Sequence, residues 1–233
     1  MIDLDTHKMG FDARYWNGWL PENEARQFAF CYVKLTDGIW KDAESTLAKK
    51  QYEGALKLGM QVGFFHYWRY TPASGASQQD QADWFLSHLA KYPDAILPPV
   101  HDFEDKAGVK GKATGDRIQA YGYAFEQERK TAMVYTAPHF WNYWVGAYEF
   151  KGWNPYGKEL WEADPPPDTP LPGKWKDYSV IQYRLDIAYP GFQCGVDLDY
   201  ARNAWWNKYV TQHAEPTLEE KVDLLWSAHP ELH

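Results

Sequence analysis

The sequence predicts an α/β protein whose eight strands close into a barrel, regular in its first half and irregular in its second. Three observations carry that reading. Apolar runs of strand length recur eight times along the 233 residues, several of them apolar nearly throughout, as strands covered on both faces are. Segments with helical period separate the early runs, and repeated βα units build a parallel sheet that eight strands can close. No Gly-rich phosphate loop follows the first run, which counts against an open doubly wound sheet.

The elements follow in order. "MIDLD" supplies a first strand at 2–5, and "FAFCYVKL" (28–35), "QVGFFHYW" (61–68) and "AILPPVHDFE" (95–104) supply the next three. "TAMVYT" (131–136), "ELWEA" (159–163), "SVIQYR" (179–184) and "VDLDY" (196–200) complete the set. Between them, Ala48, Tyr52, Ala55 and Leu56 share a helical face, with Gly59 as the stop. Ala82, Phe85, Leu86 and Leu89 repeat the spacing, as do Ile118, Tyr121, Gly122 and Phe125. Beyond about residue 137 the helices shorten into aromatic and Pro-rich connections, notably "DPPPDTPLPG" (164–173). The barrel therefore takes residues 1–210. Residues 211–233 form a tail, with a capping box at Thr217 and Glu220 and an apolar stripe of Leu218, Val222, Leu225 and Trp226. Such a short helix is marginal alone, so residues 217–228 dock on the barrel, on a second copy or on a neighbouring domain.

Composition narrows the function. Hydrophobic content of 45% and charged content of 24% are ordinary for a globular chain. Aromatic content of 18%, with 13 Trp and 17 Tyr, is not. Flat apolar faces suit a sugar ring or a nucleobase. A net charge of −8 decides between them, because nucleic-acid affinity needs cations to neutralise phosphates. Carbohydrate remains. Cys31 and Cys194 make neither a metal spacing nor a disulfide framework. No stretch reads as a signal peptide or a membrane span, and no motif calls for a cofactor.

Polar and aromatic groups gather where each apolar run stops, the face on which a parallel barrel concentrates its function. These groups are Asp3 and Asp5; Lys34, Thr36 and Asp37; His66; Asp102 and Glu104; Tyr135 and Thr136; Trp161 and Glu162; Gln182 and Tyr183; and Asp197 and Asp199. In "PPVHDFE", alternation puts Asp102 and Glu104 on one face, about 6.5–7 Å apart along the strand. Neighbouring carboxyls resist ionising together, so one stays protonated near neutrality. An acid beside a carboxylate is what glycosidic cleavage needs, and Glu104, the longer and more terminal, is the candidate acid.

In this order the motifs resemble those of glycoside hydrolase family 25, the muramidases. "MIDLD" resembles the family's opening strand with its active-site Asp, here Asp3. "YVKLTDG" is similar to the strand-two motif that ends Lys-x-Thr-Glu-Gly, and "VGFFHYWR" to the strand-three His motif. "PPVHDFE" resembles the central Asp-x-Glu pair, and "AMVYTAPHFW", "LWEA", "VIQYR" and "GVDLDYA" the motifs of strands five to eight. The resemblance spans Ile2 to about Tyr200. It implies a flattened, TIM-like (β/α)₅β₃ barrel, with Glu104 as general acid/base and Asp3, Asp102 and Asp197 lining the pocket. Tyr67, Tyr135, Trp161, Gln182 and Tyr183 are then substrate contacts, with Lys34 and His66 supporting them.

The expected reaction is hydrolysis of the β-1,4 bond between N-acetylmuramic acid and N-acetylglucosamine in bacterial peptidoglycan. Asp102 and Glu104 approach from one side, which favours attack by the substrate's own 2-acetamido oxygen, with retention. Rival readings are a metal-dependent hydrolase using His66, Asp102, Glu104 and Asp197, a wall-binding module that no longer cleaves, and a chitin-cleaving relative. The lack of an export signal suits a phage or prophage lysin made in the host cytoplasm.

Overall fold

The computed structural model describes residues 6–18, 24–40, 43–72, 75–129, 131–163 and 170–210. Eight strands close into one barrel in chain order. They are β1 (His7–Ala13), β2 (Phe30–Asp37), β3 (Gln61–Tyr67), β4 (Val100–Asp102), β5 (Met133–Thr136), β6 (Leu160–Ala163), β7 (Val180–Ile187) and β8 (Val196–Arg202). Pairing is parallel from β1 to β7. β8 runs antiparallel to both of its neighbours.

Two expectations about strands need correction. The first barrel strand is His7–Ala13, later than 2–5, and residues 1–5, with Asp3 and Asp5, lie outside the described residues. In β1 the alternation does the work: Met9, Phe11 and Ala13 face one way, and Lys8, Gly10 and Asp12 the other. The closing strand is also not parallel. Only residues 188–195 separate β7 from β8, and a parallel crossover takes a dozen or more. The start of β8, not its end, therefore sits at the barrel mouth. Asp197 stays there, paired in register with Asp12, and Asp199 lies one pleat deeper opposite Gly10.

Helices α1 (Ala43–Lys57), α2 (Gln78–Leu89) and α3 (Lys112–Glu128) follow β2, β3 and β4. α2 begins at Ser77, whose hydroxyl accepts from the Asp80 N–H while Asp80 accepts from the Ser77 N–H, a reciprocal cap. Ala48, Tyr52 and Ala55 bury the inner face of α1 as the spacing predicts, but Leu56 is exposed. After β5 the chain makes only a short helix, α4 (Pro138–Phe140), which runs on as a π-turn over Trp141–Val145. α5 (Asn203–Tyr209) closes the lower end, with Trp205 and Trp206 about the Phe30 ring. The tail helix proposed at 217–228 and most of the Pro-rich connection lie outside the described residues. Among the described residues no helix is long and apolar enough to cross a membrane.

The barrel interior is layered. A side chain on Gly10 would collide with the ring of Phe30, and one on Gly63 with the ring of Tyr32, so two glycines make room for two aromatics. Above them Trp161 packs on Tyr32 at 4.8 Å and edge-on to Tyr135 at 5.1 Å. Outside the barrel, His66 stacks between Phe85 of α2 and Tyr121 of α3. These layers leave one open end, above Trp161.

Candidate active site

β4 delivers the acid pair. His101 and Phe103 point outward: His101 meets Phe125 and Tyr121, and Phe103 is enclosed by Trp68, Tyr121, Trp141 and Trp153. Asp102 and Glu104 therefore turn the other way, toward the barrel axis. The Phe103 N–H still donates to the Tyr135 carbonyl (2.9 Å), so the chain stays extended past Asp102. The next residue fixes the turn: the Asp105 carboxylate accepts from the Tyr70 and Ala107 N–H groups.

Asp102 opens on a cavity of about 190 Å³ that it lines with Asp12, Arg14, Phe65, Tyr135, Trp161 and Gln182. The polar groups form a chain. Tyr135 donates to Gln182 Oε1 (2.8 Å), and Gln182 Nε2 donates to Asp12 Oδ2 (2.7 Å). Arg14 lies 3.6 Å from Asp12 Oδ1 and donates to Asp197 Oδ2 (3.1 Å). Asp197 is gripped on its other oxygen by the Asp186 N–H (2.7 Å). Asp102 Oδ1 is buried and finds no hydrogen-bond partner among the described residues.

Electrostatics follow from burying several carboxyls around one guanidinium. Burial is the largest cause pushing the Asp12 carboxyl up to about 7, with Asp197 adding and Arg14 opposing. Burial, then the Glu104 charge, holds Asp102 well above the usual carboxylate range. Burial also raises half-buried Glu104, against the pull of Arg14, Lys34 and Lys106. The cluster keeps protons that free carboxyls would lose.

Glu104, Asp102, Tyr135, Trp161, Gln182 and Asp197 thus share one neighbourhood, as the sequence reading anticipated. Their uses differ from that reading. Trp161, 2% exposed, is the floor of the pocket with its N–H given to Asp199 (3.0 Å), not an open stacking face. Tyr183 points out of the barrel onto Tyr200 (4.5 Å), because Gln182 beside it points in. It is not brought to the site. Tyr67 lies beneath two cations, Arg69 at 4.3 Å and Lys34 at 4.7 Å, and both pair with Asp37. His66 faces the helices, bonded to Thr36 (2.8 Å) and Gln81 (3.1 Å). Gln81 in turn accepts from the Arg69 N–H (2.7 Å). His66 therefore props the rim, and the metal-hydrolase reading loses its imidazole.

Three residues escaped the sequence reading: Asp12, Arg14 and Trp16. The signal for Asp12 was present in the alternation of "HKMGFDA". Arg14, two positions on, continues the same inward face. Trp16 follows in a turn (Tyr15–Asn17) whose conformation nothing in the sequence announces.

Carboxyls raised by burial and gathered at a barrel mouth fit one class, the enzymes that cleave glycosidic bonds. The family's sequence profile, described as glycosyl hydrolases family 25, matches residues 7–192. The chain belongs to that family and is a glycoside hydrolase. No curated protein matches it by sequence. Among solved structures it resembles a family 25 glycosyl hydrolase from Bacillus anthracis, at 19% identity over 90% of this chain and 96% of that one, TM-score 0.70. It also resembles a family 25 lysozyme from Aspergillus fumigatus, at 22% identity over 89% and 97% of the two chains, TM-score 0.68. A third is the CTP1L endolysin, at 18% identity over 90% of this chain and 71% of that one, TM-score 0.68. At such identities the likenesses speak for the fold.

Proposed function

We propose that the protein is a peptidoglycan muramidase. It hydrolyses the β-1,4 bond between N-acetylmuramic acid and N-acetylglucosamine, with retention through the substrate's 2-acetamido group. The carrying observation is the Asp102 oxygen that has no partner among the described residues, beside Glu104 at the mouth. An acetamido N–H is the donor that oxygen lacks. Its hydrogen bond favours the ionised form of Asp102, and the proton held by the pair then rests on Glu104. Asp102 orients the amide and answers the positive charge that develops as the acetamido oxygen attacks the anomeric carbon. Glu104 protonates the departing oxygen, then takes a proton from the water that opens the cyclic intermediate. Asp12 and Asp197, held by Gln182, Arg14 and the Asp186 N–H, receive sugar hydroxyls.

The bacterial cell wall is the place of action in this reading. Its biological role in this reading is that of a phage or prophage lysin. Self-association through 217–228 remains a proposal about residues outside the described set.

Digestion of purified peptidoglycan tests the chemistry. Mass spectrometry should find muramic acid at the new reducing ends, and NMR at early times should find the β anomer. Glu104→Gln should bind wall fragments yet release reducing ends about 10²–10⁴-fold more slowly. An α anomer at early times would sink the acetamido scheme. Reducing-end glucosamine would sink the muramidase assignment.

A further inference from the structure

Two cavities, of about 640 and 850 Å³, meet at Tyr156 and Lys174, which line both. Together they form one groove. It runs from the β5–β6 connection, at 148–154, to the segments that lead into β6 and β7. Those segments enter the barrel at the end opposite the mouth, where Trp205 and Tyr209 of α5 reach Glu159. The groove therefore takes no part in the chemistry above Trp161.

Its floor is a continuous row of rings. Tyr148 meets Phe150 at 4.8 Å, Phe150 meets Tyr156 at 5.9 Å and Tyr156 meets Trp175 at 4.8 Å, each pair edge to face. The backbone around them is fixed. The Trp175 indole N–H donates to the Lys158 carbonyl (3.1 Å), the Tyr148 hydroxyl to Asp116 (2.8 Å), and the Lys151 N–H to the Gln119 side chain.

The rim is lysine. Lys151, Lys174 and Lys176 are exposed and make no ion pair among the described residues. Two acids of the lining are already engaged. Glu159 accepts from Lys208 (2.8 Å), Trp205 (3.0 Å) and Tyr209 (2.8 Å), and Asp177 from Arg202 (2.6 Å). Lys158, the fourth lysine, pairs with Glu126. Three ammonium groups thus stand open against one carboxylate, Glu149. In a chain of net charge −8 this is a local reversal of sign.

We infer that this groove binds a phosphodiester-linked polyol polymer of the bacterial wall. The inference rests on the proposed action at the wall for its setting, and on the charges and rings for its chemistry. A polymer with a phosphate in every unit lets each separate ammonium release a counterion, and the gains add along the chain. The open cations are all lysines, which act as point charges, whereas a lone carboxylate is better gripped by the planar fork of an arginine. Single-stranded nucleic acid shares the phosphodiester but fits the floor less well. Bases need flat faces to stack on. Here the rings are buried or half-buried and packed edge to face, leaving ribs of C–H surface that suit a polyol.

Calorimetric titration of the full-length protein with deacylated poly(glycerol phosphate) tests this, beside poly-L-glutamate and an oligodeoxythymidylate of matched charge. The polyol phosphate should bind, less tightly as salt rises, and the other two should bind more weakly. Combining Lys151→Gln, Lys174→Gln and Lys176→Gln should weaken binding about tenfold, with the melting temperature unchanged because no ion pair is lost. Lys151→Arg, Lys174→Arg and Lys176→Arg together should retain it. Removing equal charge from α1, by Lys49→Gln, Lys50→Gln and Lys57→Gln, should leave binding within about twofold, since charges that far off are screened. No binding of the polyol phosphate, a competitor bound as tightly, or a groove triple that binds like wild type would each overturn the assignment. So would an α1 triple that loses as much, because net charge and not the groove would then govern. Failure of the activity reads differently. If the wild type releases no reducing ends from peptidoglycan while the groove triple still loses the polymer, the muramidase reading falls and the groove stands. If peptidoglycan is cleaved and the polymer stays unbound, the groove alone falls.

Discussion

Arg14 is the residue on which the site's charge balance turns. Among the described residues it is the cation that pairs with Asp12 and Asp197, and its field lowers the carboxyl pKa of Asp12, Asp102 and Glu104 against burial. Deleting it releases that restraint, so all three carboxyls rise further. Since the acid must be protonated to work, Arg14→Ala should move the basic limb of the kcat/KM profile to higher pH. It should also lower kcat, because Asp197 loses one of its two holds. Arg14→Lys should restore the limb, which depends on charge, but not the rate, which depends on a planar fork reaching two carboxylates. A basic limb that stays in place in Arg14→Ala would refute this role. Lys34, held by Asp37 at 2.7 Å, adds its field at Asp102 and Glu104 but is not among the charges that lower Asp12.

The strands of the barrel differed in how plainly the chain announced them. β2, β3 and β5 are apolar because helices cover one side and aromatics fill the other, and such runs read easily. β1 did not. Its inward positions are Lys8, Gly10 and Asp12, so the apolar run breaks at every second residue, and "MIDLD" looked more strand-like. The cost was Asp12 and Arg14, both in the site. The direction of β8 was legible in principle from the short link before it. The partners of Tyr183 and Trp161 were not, because alternation tells which residues share a face but not how much of that face is closed. Glycine makes the same distinction sharper. Gly59, read as a helix stop, has φ of 82° and nothing within 4 Å of an added side chain, so Gly59→Ala should cost only about 1 kcal/mol of backbone preference. Gly63 has an ordinary φ, yet a methyl there would lie 2.2 Å from the Tyr32 ring. Tyr32 cannot yield easily, with its hydroxyl on the Pro98 carbonyl (3.0 Å) and its ring on Trp161. Gly63→Ala should therefore cost about 1–3 kcal/mol in urea unfolding and lower kcat by disturbing the pocket floor. Equal costs for the two substitutions would show that the Tyr32 layer is not tightly packed.

At the scale of the whole molecule, groups buried for function and groups buried for packing pull stability in opposite directions with pH. Asp199 is fully buried, with one oxygen on Trp161 and the other without a partner among the described residues. Burial, then Asp12 and Asp197, pushes its carboxyl well above the usual range. The folded chain keeps a proton there that the unfolded chain releases. Stability from Asp199 is therefore full below the ordinary carboxylate pKa and is lost as pH rises through the folded value. Asp12 and Glu162, each raised to about 7, act in the same sense. His66 and His101 act in the other. Burial holds both neutral, His66 down to about 3, so their share is present above the ordinary histidine pKa and lost on acidification. Asp199→Asn separates the two sets. The amide keeps an oxygen for the Trp161 N–H and cannot ionise, and its own NH₂ takes the place of the retained proton. The variant should melt higher than the parent, by a margin that widens from about pH 4 to about pH 8 as the parent's buried acid is forced to ionise. The acid-side fall driven by the two histidines should persist unchanged. A constant margin across that range would mean that Asp199 ionises in the folded barrel as readily as in water, and that the deep end of the site is wet.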